Sequence, residues 1–137
     1  MFDQKRIEKN LESLEVYKER MTKLLPKTLQ EYEKLDFDKK YAVERVVQLV
    51  SDTEMEIAVL LYRKAEPKPA GDVETMLGSL KDLLGGKIIK GMKEMRKLRN
   101  SLVHAYADSG YDKEVFEITK KTEAIEDFIE EVRKSLK

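Results

Sequence analysis

The sequence has no cysteine and no tryptophan, and only one histidine, three prolines and six glycines in 137 residues. Each scarcity excludes something. Without cysteine there are no disulfides, no thiolate metal sites and no cysteine nucleophile. With His104 as the sole histidine, a multi-histidine zinc site cannot form within one chain. Net charge is also missing, since 27 Lys and Arg face 27 Asp and Glu. That balance argues against binding a polyanion through bulk charge, though it leaves local patches open. No long apolar run is present. The strongest, Ile57 to Tyr62, is far too short to span a bilayer. The opening residues, Met1-Phe2-Asp3-Gln4-Lys5-Arg6, turn polar at once and lack the apolar stretch of a signal peptide. The expectation is a cytoplasmic protein with no membrane association.

What is there is charge and helix-forming residues. Charged residues make up 39% of the chain and hydrophobic ones 41%, enough for a small core. The length fits a single domain over residues 1–137. In the first segment Ile7, Leu11, Leu14, Met21 and Leu25 recur at helical spacing, and Pro26 blocks continuation. Residues 27–35 fit either a short helix or a turn. Asp36-Phe37-Asp38 offers N-caps for a second long helix to about Lys64, with Val43, Val46, Val47, Val50, Ile57, Ala58 and Leu61 as its apolar stripe. A loop by composition follows at Glu66–Gly71. Asp72 can cap a short helix through Leu84, which Gly85-Gly86 ends. A further helix is predicted from Lys87 to about Tyr106, then a turn at Asp108-Ser109-Gly110. The last, 112–136, carries Val115, Ile118, Thr122, Ile125, Ile129, Val132 and Leu136. No strand pattern or repeat competes. The fold class read from this is all-α, an up-and-down bundle of four main helices plus a short one.

The chemistry concentrates in Arg96-Lys97-Leu98-Arg99-Asn100-Ser101-Leu102-Val103-His104-Ala105-Tyr106. Projected at about 100° per residue, Ile88, Met92, Met95, Leu102, Val103 and Tyr106 fall within roughly 60° of Arg99. Arg99 is therefore expected in the middle of an apolar stripe, where a guanidinium needs a partner. The plain alternative is a snorkelling side chain or a structural ion pair. His104 lies roughly 140° round the helix, on the side of Lys90, Lys93, Lys97 and Asn100. Asn100 stands one turn before it, close enough to orient the ring. Taken alone, such a histidine is an ordinary surface or capping residue, and a lysine stripe is an ordinary solvated face. In one straight helix Arg99 and His104 do not point at the same spot. They serve one site only if the helix breaks, the arginine wraps around, or a second copy contributes, as in a symmetric dimer.

The same residues resemble a known motif. Arg99-Asn100, two residues, then Val103-His104-Ala105-Tyr106 is similar to the Arg-(four to six residues)-His motif of HEPN domains, in the Arg-x4-His-x-Tyr form of the HepT-like toxins encoded beside a minimal nucleotidyltransferase. Tyr41-Ala42-Val43-Glu44-Arg45-Val46-Val47-Gln48 resembles the start of that family's second helix. The order of loop, short helix, glycine and final helix also agrees, so the resemblance covers essentially the whole chain. It implies a HEPN-like fold and an endoribonuclease that needs no metal or other cofactor. It further implies a homodimer with a composite site in its cleft, RNA as substrate, and a minimal nucleotidyltransferase antitoxin as partner. Carried over, Arg99 stabilises the transition state, His104 transfers protons, Asn100 supports the histidine, and Tyr106 is where the partner attaches AMP. Lys90, Lys93 and Lys97 are candidate contacts to the RNA backbone.

That chemistry is sound in itself. RNA carries its own nucleophile, the 2′-OH, so cleavage needs chiefly a proton acceptor, a proton donor and a cation. A histidine suits the first two tasks and a fixed guanidinium the third. Glu54, which intrudes into the stripe of the second helix, or the pair Asp52 and Glu56, could balance Arg99, and the sequence leaves that choice open. Gly85-Gly86-Lys87 lacks the spacing of a phosphate loop. Two other functions stay in view: a non-catalytic module of the same fold that dimerises and binds a nucleotidyltransferase or nucleotide, and a plain helical adaptor. Six of the 13 residues from Lys87 to Arg99 are Lys or Arg, with Glu94 the only acid. Overall neutrality therefore averages a basic rail against acidic helices elsewhere.

Overall fold

A computed structural model of the chain describes residues 3–66, 68–103 and 110–137. Among them lie eight helices and no strand: α1 (Gln4–Leu24), α2 (Leu29–Glu33), α3 (Phe37–Ala65), α4 (Val73–Ser79), α5 (Lys81–Leu84), α6 (Gly86–Val103), α7 (Asp112–Thr119) and α8 (Thr122–Ser135). The starts are written in the sequence. Asp3, Thr28, Asp36 and Asp72 each accept a hydrogen bond from the amide three residues on, which satisfies a backbone donor that the first turn leaves open. The span 27–35 resolves as the short helix α2, where the Thr28 hydroxyl accepts from the Glu31 amide and donates to the Glu31 carboxylate at 3.0 Å.

The long helices α1, α3, α6 and α8 form the bundle, an all-α architecture as read from the sequence. Side-chain pairs fix their directions. Arg6 of α1 bonds Glu56 of α3. Arg133 of α8 reaches Glu15 at 3.1 Å, while Lys18 bonds Glu126, so α1 and α8 run antiparallel. Lys40 meets Asp112 at 2.9 Å, which sets the start of α3 beside the start of α7, and Asp52 meets Arg99 at 2.9 Å, which sets the middle of α3 beside the end of α6. All seven residues named for the α3 stripe are buried, as are Ile7, Leu11, Leu14 and Met21 of α1, in one continuous hydrophobic cluster.

The short helix expected through Leu84 divides at Leu80 into α4 and α5, and two further expectations need correcting. The final segment is not one helix over 112–136, because it breaks at Lys120-Lys121 into α7 and α8. Buried Thr119 donates to the Val115 carbonyl at 2.6 Å, and α7 turns aside so that Phe116 packs against Tyr32 of α2. The second concerns α6. Its buried stripe is Ile89, Met92, Met95, Leu98 and Leu102, centred on Met95. Arg99, about 40° round from Met95, lies within this arc as expected but is only half-buried, while of its expected stripe neighbours Val103 is exposed and Ile88 half-buried. The stripe turns this way because α6 packs between α3 on one side and α5 and α8 on the other. Among the described residues no helix is long and apolar enough to cross a membrane.

Candidate active site

Arg99 projects from the penultimate turn of the described part of α6, opposite the middle of α3. Its Nε donates to Asp52 Oδ1 at 2.9 Å, and Nη1 makes a longer contact of 3.4 Å to Asn100 Oδ1. The choice of acid is thereby made. Asp52 holds Arg99, Glu56 is bound to Arg6, and Glu54 is buried without a bonded partner among the described residues. The arginine side chain is 32% exposed and the aspartate 52%, so solvent limits the pair to about 1 kcal/mol or less. Its consequence is positional: the guanidinium is held at one height on the bundle with three N–H donors still unpartnered among the described residues.

Arg99, Arg96 and Asn100 form the α6 lip of a cleft of about 500 Å³. The opposite wall comes from α3, through Asp52, Met55, Val59, Tyr62 and Arg63. Ala70–Val73 and Met76 close one end. Asp72 is engaged in capping α4, and the hydrogen bond it accepts from the Thr75 amide holds its carboxyl below the usual carboxylate range. A second depression adjoins across Arg96 and Asn100 and continues to Lys93, Lys97 and Ser101.

The basic rail is exposed as expected at Lys90, Lys93 and Lys97, but its members differ. Lys93 is bonded to Glu74 at 2.9 Å, whereas Lys90 and Lys97 have no ion-pair partner among the described residues. Asn100, expected to serve the histidine, has Arg99 as its described contact. His104 and Tyr106 lie outside the described residues. Among the described residues no three His, Cys, Asp or Glu side chains are grouped to hold a metal ion.

Sequence reasoning passed over the far wall. Met55, Val59, Tyr62 and Arg63 lie on the same face of α3 as Asp52, roughly opposite the main apolar stripe. A secondary apolar patch on that face was the available signal. A search of curated proteins finds no match to the chain. A family model described as "Ribonuclease HepT-like" matches residues 7–132. Nearly the whole described bundle, Arg99 and its cleft included, falls inside that match, and the chain belongs to the HepT-like ribonuclease family.

Proposed function

We propose that the protein is an endoribonuclease toxin that cleaves RNA without a metal ion, at a site shared between two copies of the chain. The observation that carries this reading is the placement of Arg99, steadied by Asp52 at the lip of an open, cation-lined cleft. It lies within the stretch that the ribonuclease family model matches. His104 takes the proton from the ribose 2′-OH, and the 2′-oxygen attacks the neighbouring phosphorus. The 5′-oxygen leaves with a proton, giving a 2′,3′-cyclic phosphate and a 5′-hydroxyl. Arg99 stabilises the negative charge that builds on the non-bridging oxygens. A symmetric dimer supplies the second Arg99/His104 set to the same cleft. A minimal nucleotidyltransferase silences the toxin by attaching AMP to Tyr106.

One observation favours a second reading, the non-catalytic binding module. The Arg99–Asp52 pair is also what a purely structural arginine makes. Induced expression without any partner separates the two. Wild type is expected to arrest growth and degrade RNA, while His104→Ala and Arg99→Ala fold, dimerise and leave RNA intact. Purified wild type is expected to retain cleavage in a chelator. Equal harmlessness of all three proteins would establish the binding module, and loss of cleavage in the chelator would rule out the metal-free mechanism.

A further inference from the structure

The cleft beside Arg99 has more in it than one reacting phosphate needs. Its α3 wall is apolar: Met55, Val59 and Tyr62 are half-buried there and keep contact with water. Apolar surface of this kind gains free energy when a flat hydrophobic body covers it. A volume of about 500 Å³ falls within the ~300–1,000 Å³ typical of small-molecule sites.

The charges around that wall are unevenly satisfied. Both carboxylates of the cleft have a partner, Asp52 in Arg99 and Asp72 in the Thr75 amide. Arg63 and Arg96, on opposite walls, have neither a hydrogen bond nor an ion pair among the described residues. Arg45 bonds Gln48, Arg6 bonds Glu56 and Arg133 bonds Glu15. Arg63 and Arg96 thus flank an apolar slot as cations with no counter-charge of their own. Arg96 stands one turn before Arg99 on α6. Arg63 lies eleven residues beyond Asp52 on α3, about 16 Å of helix rise away. A ligand that matches this pattern has a flat apolar body and an anionic group at each end.

We infer that this cleft is the subsite for the nucleotide adjoining the scissile phosphate, with its base on the Met55–Val59–Tyr62 wall and its flanking phosphates on Arg96 and Arg63. The ligand's identity as RNA rests on the ribonuclease reading, but the site's chemistry does not. Base stacking on an aromatic side chain is sequence-tolerant, so the subsite selects unpaired RNA over duplex rather than one base over another. The adjoining depression towards Lys97 is the exit for the next stretch of backbone.

The test is a binding titration of the full chain, which needs no catalysis. Its probes are adenosine 3′,5′-bisphosphate, adenosine 5′-monophosphate, ribose 5-phosphate and an oligoglutamate peptide. The bisphosphate is expected to bind at least about tenfold more tightly than the monophosphate, a difference of about 1.4 kcal/mol. Ribose 5-phosphate is expected to bind at least about tenfold more weakly than the monophosphate. Arg63→Ala and Arg96→Ala should each remove the advantage of the second phosphate. Tyr62→Leu, with folding checked by circular dichroism, should weaken both adenosine ligands and leave ribose 5-phosphate unchanged. Equal affinity with and without the base, indifference to both arginine substitutions, or tighter binding of the oligoglutamate would each overturn the subsite. A chain that binds in this pattern yet never cuts RNA would retain the subsite and refute the ribonuclease.

Discussion

Glu54 is a carboxyl group in the wrong solvent. It sits in the middle of α3, 6% exposed, with no bonded partner among the described residues. Burial alone pushes its pKa from 4.5 up to about 8. Lys87, Lys90, Glu94, Lys121 and Asp127 line the small cavity next to it, but none is bonded to it. The folded chain therefore keeps a proton that the unfolded chain releases. Glu54's contribution is fully present below about pH 4.5 and is lost as pH rises towards about 8. Glu54→Gln keeps the shape and removes the titration. Thermal midpoints should be similar for the two proteins near about pH 5, with the variant more stable at about pH 8.5, by an amount on the order of a few kcal/mol. A gap that does not widen with pH would show that Glu54 has a counter-charge when folded.

At the scale of elements, the turn between α5 and α6 rests on one residue. Gly85 ends α5 at φ +94° and ψ 147°, a region that side chains with a Cβ rarely adopt. Gly86 begins α6 with ordinary helical geometry, where an added Cβ meets only the flexible Lys81 Cε at 3.2 Å. Gly85→Ala should cost about 1–3 kcal/mol in urea unfolding, and Gly86→Ala within about 0.5 kcal/mol. Equal effects would mean that the turn has another source of rigidity. The sequence shows that a helix ends at this Gly-Gly pair, but not which glycine carries the turn.

Legibility follows the same line elsewhere. Caps such as Asp36 and Asp72 are local, and so were readable. The stripes of α1 and α3 were readable because a buried face repeats every turn. The break at Lys120-Lys121 was not, since its cause is the long-range packing of Phe116 on Tyr32. At the candidate site Arg99 stands out in sequence, but its choice of Asp52 over Glu54 or Glu56 depends on helix rotation.

For the whole molecule, zero net charge means that the RNA affinity the proposed function requires would come from a few local cations. Each phosphate neutralised on a single strand contributes about −0.7 to the slope of log K against log salt. Lys97→Ala should therefore make that slope shallower by roughly 0.7. Lys93→Ala should change it less, because Glu74 already neutralises this lysine. Anisotropy titrations with a labelled single-stranded oligoribonucleotide at several salt concentrations would decide it. Equal effects would show that RNA displaces Glu74.

The Arg99–Asp52 contact has a kinetic meaning too. A carboxylate fixed beside the guanidinium is a tethered competitor, present at an effective concentration of at least about millimolar. Free phosphate or a stray metabolite at lower concentration does not readily displace it, although the margin is only about 1 kcal/mol or less. A polymer can displace it, because its neighbouring phosphates engage other cations first and deliver the next one at a comparably high local concentration. On the ribonuclease reading, Asp52 would thus bias this arginine towards strands over single anions.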